Sequence, residues 1–550
     1  MFESEQLREG GCISTQRLRG YMRVVKDGRD VFGRDMNRRE MLKLSGYAAA
    51  AASAAAAGSA VSAEEVGTGG GSAARWDYVE IAQNGPSGGN PFVDVTLTAA
   101  FRMGNRAVTV LGFYDGDGVY KIRFMPDALG EWTWTTASNA PDLNGKTGAL
   151  VCTAPDEGNR GPVSVRDDFH FGYADGTPYV ECGTTCYAWA FQTEETQRQT
   201  IETLTKSPFN KLRMCLFPKW YQHNRKEPAV YPFPRNGDTN DYSTFNVEYF
   251  RHFDKLIGEL RGIGVEADLI LFHPYDKWGY QSMAAEVDDR YLRYVIARYG
   301  AFRNVWWSLA NEYDLLKAKS NTDWDRFARI VSECDVFDHL RSIHYSHHQY
   351  EYWRGWCTHA GVQDSRMTMG ASWREDWRKP VVFDECRYEG NIASRWGNLS
   401  GDAMTRRFWQ AAAQGAYCGH GETYLSAEDI LWWSHGGVLH GSSPEKIAFL
   451  RKLLEETIAL GPGPIGFTSI SEDPAGARRT NDAVIFYYYD EQQPAGETYA
   501  LPEGKTYTAE YIDTVKLTRT ALDGEYSGQA TVKMPGEPWG SLWFRQKGVA

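Results

Sequence analysis

Several things are missing from this chain, and each absence narrows what it can be. Beyond the N-terminal region, no stretch approaches the run of about 18 apolar residues that a membrane span requires. No concentrated basic stripe offsets the formal net charge of −12. That argues against a polyanion partner such as nucleic acid, because phosphate binding needs such a surface. The nine cysteines include no Cys-x-x-Cys pair and no Cys/His cluster at zinc spacing, so no metal is expected, and no other cofactor is called for. No Gly-rich phosphate-binding turn follows the first strand-like run of the central region, and no internal repeat organises the chain.

What is present is long, globular and aromatic. A length of 550 residues exceeds one ordinary core, so two to four domains are expected. Hydrophobic residues make up 42% and charged residues 24%, a globular rather than a disordered balance. Aromatic content reaches 14%, with 19 Trp and 31 Tyr. β-rich domains with aromatic cores account for most of these. The excess favours carbohydrate as ligand, because sugar rings present apolar C–H faces that stack on Trp and Tyr.

The N-terminal region carries an address. Residues 37–44 read "NRREMLKL", followed by an Ala-rich run from Tyr47 to Ala60 and "VSA" before Glu64. The twin arginine, short apolar stretch and small-residue cleavage site resemble a twin-arginine export signal over 36–63, with Asn37 and Met41 where a hydroxyl residue and Phe are usual. Residues 1–35 then read as an upstream extension, and the mature protein as periplasmic or secreted. A plain amphipathic or buried Ala helix is the other reading. Cys182, Cys186, Cys215, Cys386 and Cys418 sit in apolar strand-like runs and read as buried thiols. A Cys182–Cys186 bridge and a nucleophilic Cys386 are the alternatives.

Residues 64–74, with "GTGGGSAA", read as a linker. Over 75–165, "FVDVTLTAAF", "RAVTVLGFYD", "VYKIRFMP" and "GEWTWTTAS" alternate apolar and polar residues between turn signals, which predicts an Ig-like antiparallel β-sandwich. From 166 to 460 the pattern becomes strand and helix in alternation. Candidate strands are "PYVECGTTCYAW", "FNKLRMCLFP", "VEADLILF", "NVWWSLANE", "RSIHYSHH", "RMTMGAS", "PVVFDECRYEG" and "GAYCGHGETY". One helix is expected over 247–263, where Val247, Phe250, Phe253, Leu256, Ile257, Leu260 and Ile263 form an apolar stripe. Another is expected over 322–334, capped by Thr322 and burying Phe327, Ile330, Val331 and Cys334. Eight strands with intervening helices suit an α/β fold of the (β/α)8 TIM-barrel type, and a doubly wound sheet is the alternative. Over 462–550 the helical period stops and a small C-terminal β-sandwich is expected.

The most specific chemistry lies in Glu312 of "NVWWSLANEYD" and Glu385 of "PVVFDECRYEG", 73 residues apart. Each closes an apolar run that reads as a buried strand. Two carboxylates delivered by two strand ends are the minimum for glycosidic cleavage: one protonates the leaving oxygen while the other attacks or stabilises the oxocarbenium-like centre. A general acid needs an apolar surround or a neighbouring negative charge to stay protonated, and Glu312 follows Trp306, Trp307 and Leu309. A nucleophile needs donors or a cation, and Arg213 in "KLRMC" is expected to point into the mouth and supply that charge. Asn311 is placed to grip the sugar's 2-hydroxyl. Other expected substrate contacts are His273, Tyr275, Trp278, His347, Tyr388, His420, Glu422, Trp432 and Trp433, all at or near strand ends, with Trp189, His344, His348 and His435 nearby. The alternative nucleophiles are Glu389 and Glu422.

Three stretches carry a family resemblance. "FYDGDGVYKIRFMPDALGEWTW" resembles β-sandwich domains found at the front of bacterial glycoside hydrolases, a family named only as of unknown function. "YIDT…G…P" resembles the C-terminal β-domains that accompany such barrels. Asn311-Glu312 and Asp384-Glu385, after the fourth and seventh strands, resemble the acid/base and nucleophile motifs of the clan A retaining glycoside hydrolases, and most closely the apiosidase-like group. The resemblance implies a retaining glycosidase acting on a plant or bacterial polysaccharide or oligosaccharide, with Glu312 as acid/base and Glu385 as nucleophile. Carboxyl groups about 5–5.5 Å apart are expected for retention, against about 6.5–9.5 Å for inversion. A non-catalytic carbohydrate-binding or adhesion protein on an inactive barrel is the competing class, and a lyase or transglycosidase using the same carboxylates is a third.

Overall fold

The computed structural model describes residues 71–426, 430–458, 466–469, 475–479 and 482–549. The extension expected over 1–35 and the export signal over 36–63 lie outside the described residues. Gly71–Ala74, read from composition as the end of a linker, instead forms an edge strand parallel to Leu150–Thr153. Pairing supplies the order that Gly and Ser lack locally, so tertiary context overrides propensity here.

Seven strands follow one another across the N-terminal sheet in the order 71–74, 147–153, 130–138, 97–103, 106–114, 119–124 and 79–84. The long strand Arg106–Tyr114 serves two layers: its first half pairs with Leu97–Met103 and its last residues pair with Val119–Phe124. Alternation puts Phe101, Trp132 and Trp134 on the inner face of one layer and Ile122 and Phe124 on that of the other. Phe101 stacks on Phe124 at 4.0 Å between centroids, which closes the sandwich. A three-stranded antiparallel sheet (163–166, 170–173 and 178–179) comes next. Its Phe171 and Tyr179 pack on Trp306, Leu340 and Val382, near the starts of barrel strands, and plug the barrel's lower end.

The barrel strands are Gly183–Thr185, Lys211–Cys215, Glu266–Phe272, Val305–Ala310, Arg341–Ser342, Ala360–Gln363, Val381–Glu385 and Tyr417–Cys418. The first five form one parallel sheet and the last three another. Single parallel bridges, His344 to Gly361 and Thr184 to His420, join the two edges on either side and close the ring. The sixth strand is therefore "AGVQ" and not "RMTMGAS": residues 367–369 are a 3-10 turn and Gly370–Trp377 is a helix. The helix Val247–Gly262 buries Phe250, Phe253, Leu256, Ile257 and Leu260 as its spacing requires, each worth ~1.5–3 kcal/mol. The helix Asn321–Cys334 is capped by Ser320 in a reciprocal capping box with Asp323, two residues earlier than Thr322.

After the barrel, strands 466–469, 475–479, 484–488, 507–513, 518–526 and 540–546 form a six-stranded sheet, and 496–500 pairs with 529–533 in a second. Tyr489, Tyr499, Leu542 and Phe544 fill the space between them. Trp409 of the barrel stacks on Tyr488, and Arg406 binds Asp490 and Glu491.

The N-terminal sandwich is tied to the barrel by buried charge. Arg123 reaches Asp254 (2.7 Å) and the carbonyl of Arg298 (2.7 Å). Arg298, fully buried, binds Asp115 (2.7 Å) and Asp254 in turn. Arg298→Met removes the cation that these two aspartates share. One-sided loss of a buried pair costs about 3–5 kcal/mol, so denaturant unfolding should show a destabilisation of that order. A loss under about 1 kcal/mol, the value of a surface pair, would mean the network does not hold the sandwich in place.

Candidate active site

Parallel strands bring their C-terminal ends to one mouth. At the end of the fourth strand the chain turns sharply, and Glu312 adopts φ 51° and ψ 54°, a left-handed conformation. For a residue with a β-carbon this costs ~1–2 kcal/mol, and strain of this kind clusters at working sites. Glu385 is the last residue of the seventh strand. The two carboxylates line one cleft of about 570 Å³, walled by Tyr187, Tyr221, Tyr275, Tyr388, Trp396 and Trp433.

A short relay joins them. The Tyr187 hydroxyl donates to Glu385 Oε1 and lies 3.1 Å from Asn311 Oδ1. Asn311 Nδ2 donates to Glu312 Oε2 at 3.2 Å. Tyr275 donates its hydroxyl to the same oxygen. Gln363, with its amide nitrogen turned toward the carboxylate, donates to Glu312 Oε1 (3.3 Å) and to the Tyr345 carbonyl (2.8 Å). Burial raises the phenols of Tyr187 and Tyr275 far above their ordinary value, so both remain donors. Burial first, and then the charge of Glu312, push the Glu385 carboxyl up to about 7, against the pull of Tyr187, Lys219 and Arg213. Near neutrality the Glu385 carboxyl therefore carries a proton about half of the time.

Beneath the cleft the barrel interior is filled with paired charge. Lys211 Nζ lies 3.0 Å from Glu181 and 3.1 Å from Asp384. Arg213 binds Asp268 (3.2 Å), Ser308 (3.3 Å) and Asn311 Oδ1 (3.2 Å). Burial penalises the Asp384 charge, but Lys211 and Arg213 more than offset it and hold this carboxyl well below the usual range. Gly361 makes room for it, since a β-carbon there would meet Asp384 Oδ2 at 2.5 Å.

Of the residues expected from sequence, Asn311, Glu312, Tyr275, Glu385, Tyr388 and Trp433 line the cleft together. The others do not. Arg213 lies in the interior and acts on the site by gripping Asn311, because its guanidinium is spent on Asp268 and Ser308. His273, which burial pushes down to about 3, holds the turn by bonding the Phe217 carbonyl and the Tyr275 N–H. Trp278 is buried and donates to Glu227 (2.9 Å). His347 is exposed, its backbone bound to Asp314. Trp432 donates to Thr184 (2.8 Å), and His420 shares that hydroxyl (2.9 Å) while stacking on Phe209. His344 is buried and neutral, its Nε2 4.0 Å from Glu385 Oε1, a support under the cleft.

Glu389 and Glu422, the alternative nucleophiles, face away from the cleft. With His420 they place one possible ligand atom each within 4.8 Å of one another, a geometry a cation could use. Both carboxylates are already engaged by backbone donors: Glu389 by the N–H groups of Ser442 (2.8 Å) and Ser443 (3.1 Å), Glu422 by those of His440 and Gly441 (2.8 Å). The arrangement clasps the loop that leads into the helix Ser443–Ile458.

Sequence reasoning missed Tyr187, Lys219, Tyr221, Gln363 and Trp396. Tyr187 follows the first strand two residues before Trp189, a spacing that alternation puts on one face; the 3-10 turn Trp189–Phe191 is what carries Trp189 into the core. Gln363 was lost with the misplaced sixth strand. Lys219 is the one cation in the aromatic run "FPKWYQH" after the second strand, a signal available in the sequence.

Comparison with known proteins places this geometry. The model of the apiosidase-like catalytic domain matches residues 166–453, and two domains of unknown function, DUF5060 and DUF5605, match 72–139 and 473–544. A putative glycoside hydrolase from Bacteroides vulgatus is 36% identical, covering 87% of this chain and 100% of its own, with a TM-score of 0.82. A glycoside hydrolase family 5 protein from the same organism is 14% identical with a TM-score of 0.55, over 70% of this chain and 94% of its own, and shares the fold alone. No curated protein matches.

Glu312→Gln removes the negative charge facing Glu385. The Glu385 carboxyl should then titrate below its value of about 7, followed by carbon-13 carboxyl NMR across pH 4–9. A titration that stays put would mean the two groups do not share one proton.

Proposed function

The chain belongs to the apiosidase-like family and is a glycosidase, and from that premise we propose that it cleaves its carbohydrate substrate with retention, Glu312 serving as acid/base and Glu385 as nucleophile. The observation that carries this reading is that the carboxylates at the ends of the fourth and seventh strands line one cleft and are linked through Tyr187 and Asn311.

In the first step Glu312 gives its proton to the glycosidic oxygen as the bond from that oxygen to the anomeric carbon breaks. A Glu385 oxygen forms a new bond to the same carbon on the opposite face. The leaving alcohol departs protonated, and Glu312 is left ionised. In the second step Glu312 takes a proton from water, the water oxygen attacks the anomeric carbon, and Glu385 leaves as a carboxylate. Tyr187 steadies Glu385 by donating to the oxygen opposite its attack. Asn311, fixed by Arg213, is positioned for the sugar's 2-hydroxyl, a contact that strengthens in the oxocarbenium-like transition state. The aromatic walls stack the ring faces and exclude water.

The cycle needs one proton on the pair. Raising pH through about 7 takes the proton from Glu385, so kcat/KM should fall on the alkaline side from near that pH. Glu312→Gln should lower turnover by about 100- to 10,000-fold, the range of acid–base assistance, and Glu385→Gln, which removes the nucleophile itself, by more than about 10,000-fold, with circular dichroism unchanged. A panel of plant and bacterial polysaccharides, with released anomers followed by NMR, reads substrate and stereochemistry together. First-formed products of inverted configuration, or near-normal activity in either variant, would overturn the assignment. Glycan binding without hydrolysis across the panel would favour a carbohydrate-binding protein on an inactive barrel.

We further propose export through the twin-arginine segment, placing the enzyme in the periplasm or outside the cell. Replacing Arg38 and Arg39 together with lysine should leave the precursor in the cytoplasm on fractionation; unaltered export would exclude that route.

A further inference from the structure

Lys219 is the least explained group in the cleft. It is 2% exposed, yet lines the cavity between the two glutamates. Its ammonium lies 3.6 Å from the ring centre of Tyr187, 4.5 Å from Tyr275, 4.7 Å from Tyr221 and 5.2 Å from Trp433. Tyr187 is the residue bonded to Glu385, and Tyr275 the one bonded to Glu312. The cation therefore stands beside the sugar that would span both carboxylates.

Four aromatic faces attract a cation but accept no strong hydrogen bond. Among the described residues, no carboxylate comes within 4.0 Å of Nζ and no oxygen accepts from it. A buried ammonium with three uncommitted donors is costly unless something else supplies the acceptors. Its position is built in rather than accidental: the Lys219 carbonyl accepts from Asn224 Nδ2 (2.6 Å), and the next N–H, of Trp220, donates to the Tyr275 carbonyl (2.8 Å).

A second cation shares the cleft. Arg387, two residues past the nucleophile, lines it with an exposed guanidinium that has no carboxylate within 4.0 Å among the described residues. Its backbone is held at φ 73°, the left-handed region, which costs a side-chain-bearing residue ~1–2 kcal/mol. The third acidic residue of the lining, Asp364, is already paired with Arg366 at 2.7 Å. On a chain of net charge −12, two cations without a carboxylate partner within 4.0 Å stand out in one cleft. The acidic surface argues against an extended polyanion lying across the protein; a single charged ring at the bottom of a cleft needs no such surface.

We propose that Lys219, with Arg387 at the rim, determines specificity by binding an anionic group on the sugar held between Glu312 and Glu385, so that the substrate is an acidic glycan carrying a uronic-acid carboxylate or a sulfate ester there. This rests on the glycosidase reading for the location of that sugar, and adds its charge. A carboxylate or sulfate offers the charged acceptors that the aromatic cage lacks, and charge-assisted bonds of this kind are about twice as strong as neutral ones.

The test pairs binding with hydrolysis. Acidic oligosaccharides, both uronic-acid-containing and sulfated, are titrated calorimetrically into the Glu312→Gln variant beside their carboxyl-reduced or desulfated counterparts. The wild type is assayed for hydrolysis of the same pairs. One acidic glycan should bind at least about 100-fold more tightly than its neutralised partner, as expected where a buried polar group is left unpaired. Which neutralisation abolishes the preference tells carboxylate from sulfate. Adding Lys219→Met should collapse the preference to about tenfold or less, Lys219→Arg should keep most of it, and Arg387→Met should reduce it partially. A preference unchanged in Lys219→Met, equal losses for acidic and neutral partners, tighter binding of neutral glycans, or no binding of any acidic glycan would each overturn the inference. Acidic preference without hydrolysis would sustain it and defeat the glycosidase mechanism, whereas retained hydrolysis of neutral glycans alone would do the reverse.

Discussion

The site stands on charge buried where a barrel normally places branched hydrocarbon. Lys211 and Arg213 of the second strand face Asp268 of the third and Asp384 of the seventh across the barrel interior, with Glu181 below. Such a cluster is a poor source of net stability, because desolvating its members costs most of what their attraction returns. Its effect is on geometry. Neither cation can move without stranding a carboxylate in the interior, so Arg213 is fixed, and with it the Asn311 oxygen that its guanidinium holds. Fixing the oxygen also fixes the amide nitrogen, which therefore faces Glu312. The orientation of Glu312 thus depends on a cation buried beneath the cleft.

The same logic runs through the other members of the site. Glu385 sits at the end of a strand, Asn311 follows one directly, and Tyr187 lies two residues past another, so the relay spans rigid elements rather than loops. Rigid placement matters because electrostatic stabilisation is effective only when donors are oriented before the reaction starts. The left-handed backbone at Glu312 is the cost of turning that carboxylate from the strand's path into the cleft, and the surrounding bonds from Tyr275, Gln363 and Asn311 hold it there.

Much of this was legible in the residues, and the failures have physical causes. Eight strand-like runs led to a ring of eight and to Glu312 and Glu385 after its fourth and seventh strands, because runs such as "VWWSLA" and "VVF" are short and rich in β-branched and aromatic residues, which favours strand over buried helix. The sixth strand escaped because "AGVQ" is short and partly glycine, while "RMTMGAS" next door is more apolar; the count survived by coincidence and Gln363 did not. Arg213 was read as a cation for the mouth, yet strand alternation alone does not say at what height along the barrel a side chain points. The histidines and Trp432 failed for a common reason. A strand end holds both lining residues and the residues that brace them, and only packing tells the two apart.

The aromatic excess shows how far composition reaches. Trp132, Trp306, Trp324 and Trp409 are fully buried core, the explanation that any β-rich protein would satisfy. Tyr187, Tyr221, Tyr275 and Trp433 instead enclose the Lys219 ammonium and form the wall of the cleft. A ring face that attracts a cation is also a surface for the C–H face of a sugar, so one set of side chains both sets the charge of the cleft and shapes its floor. The number of aromatics therefore pointed toward carbohydrate for a reason that only a few of them embody, and those few are also the ones that enclose a buried lysine without an acceptor of its own.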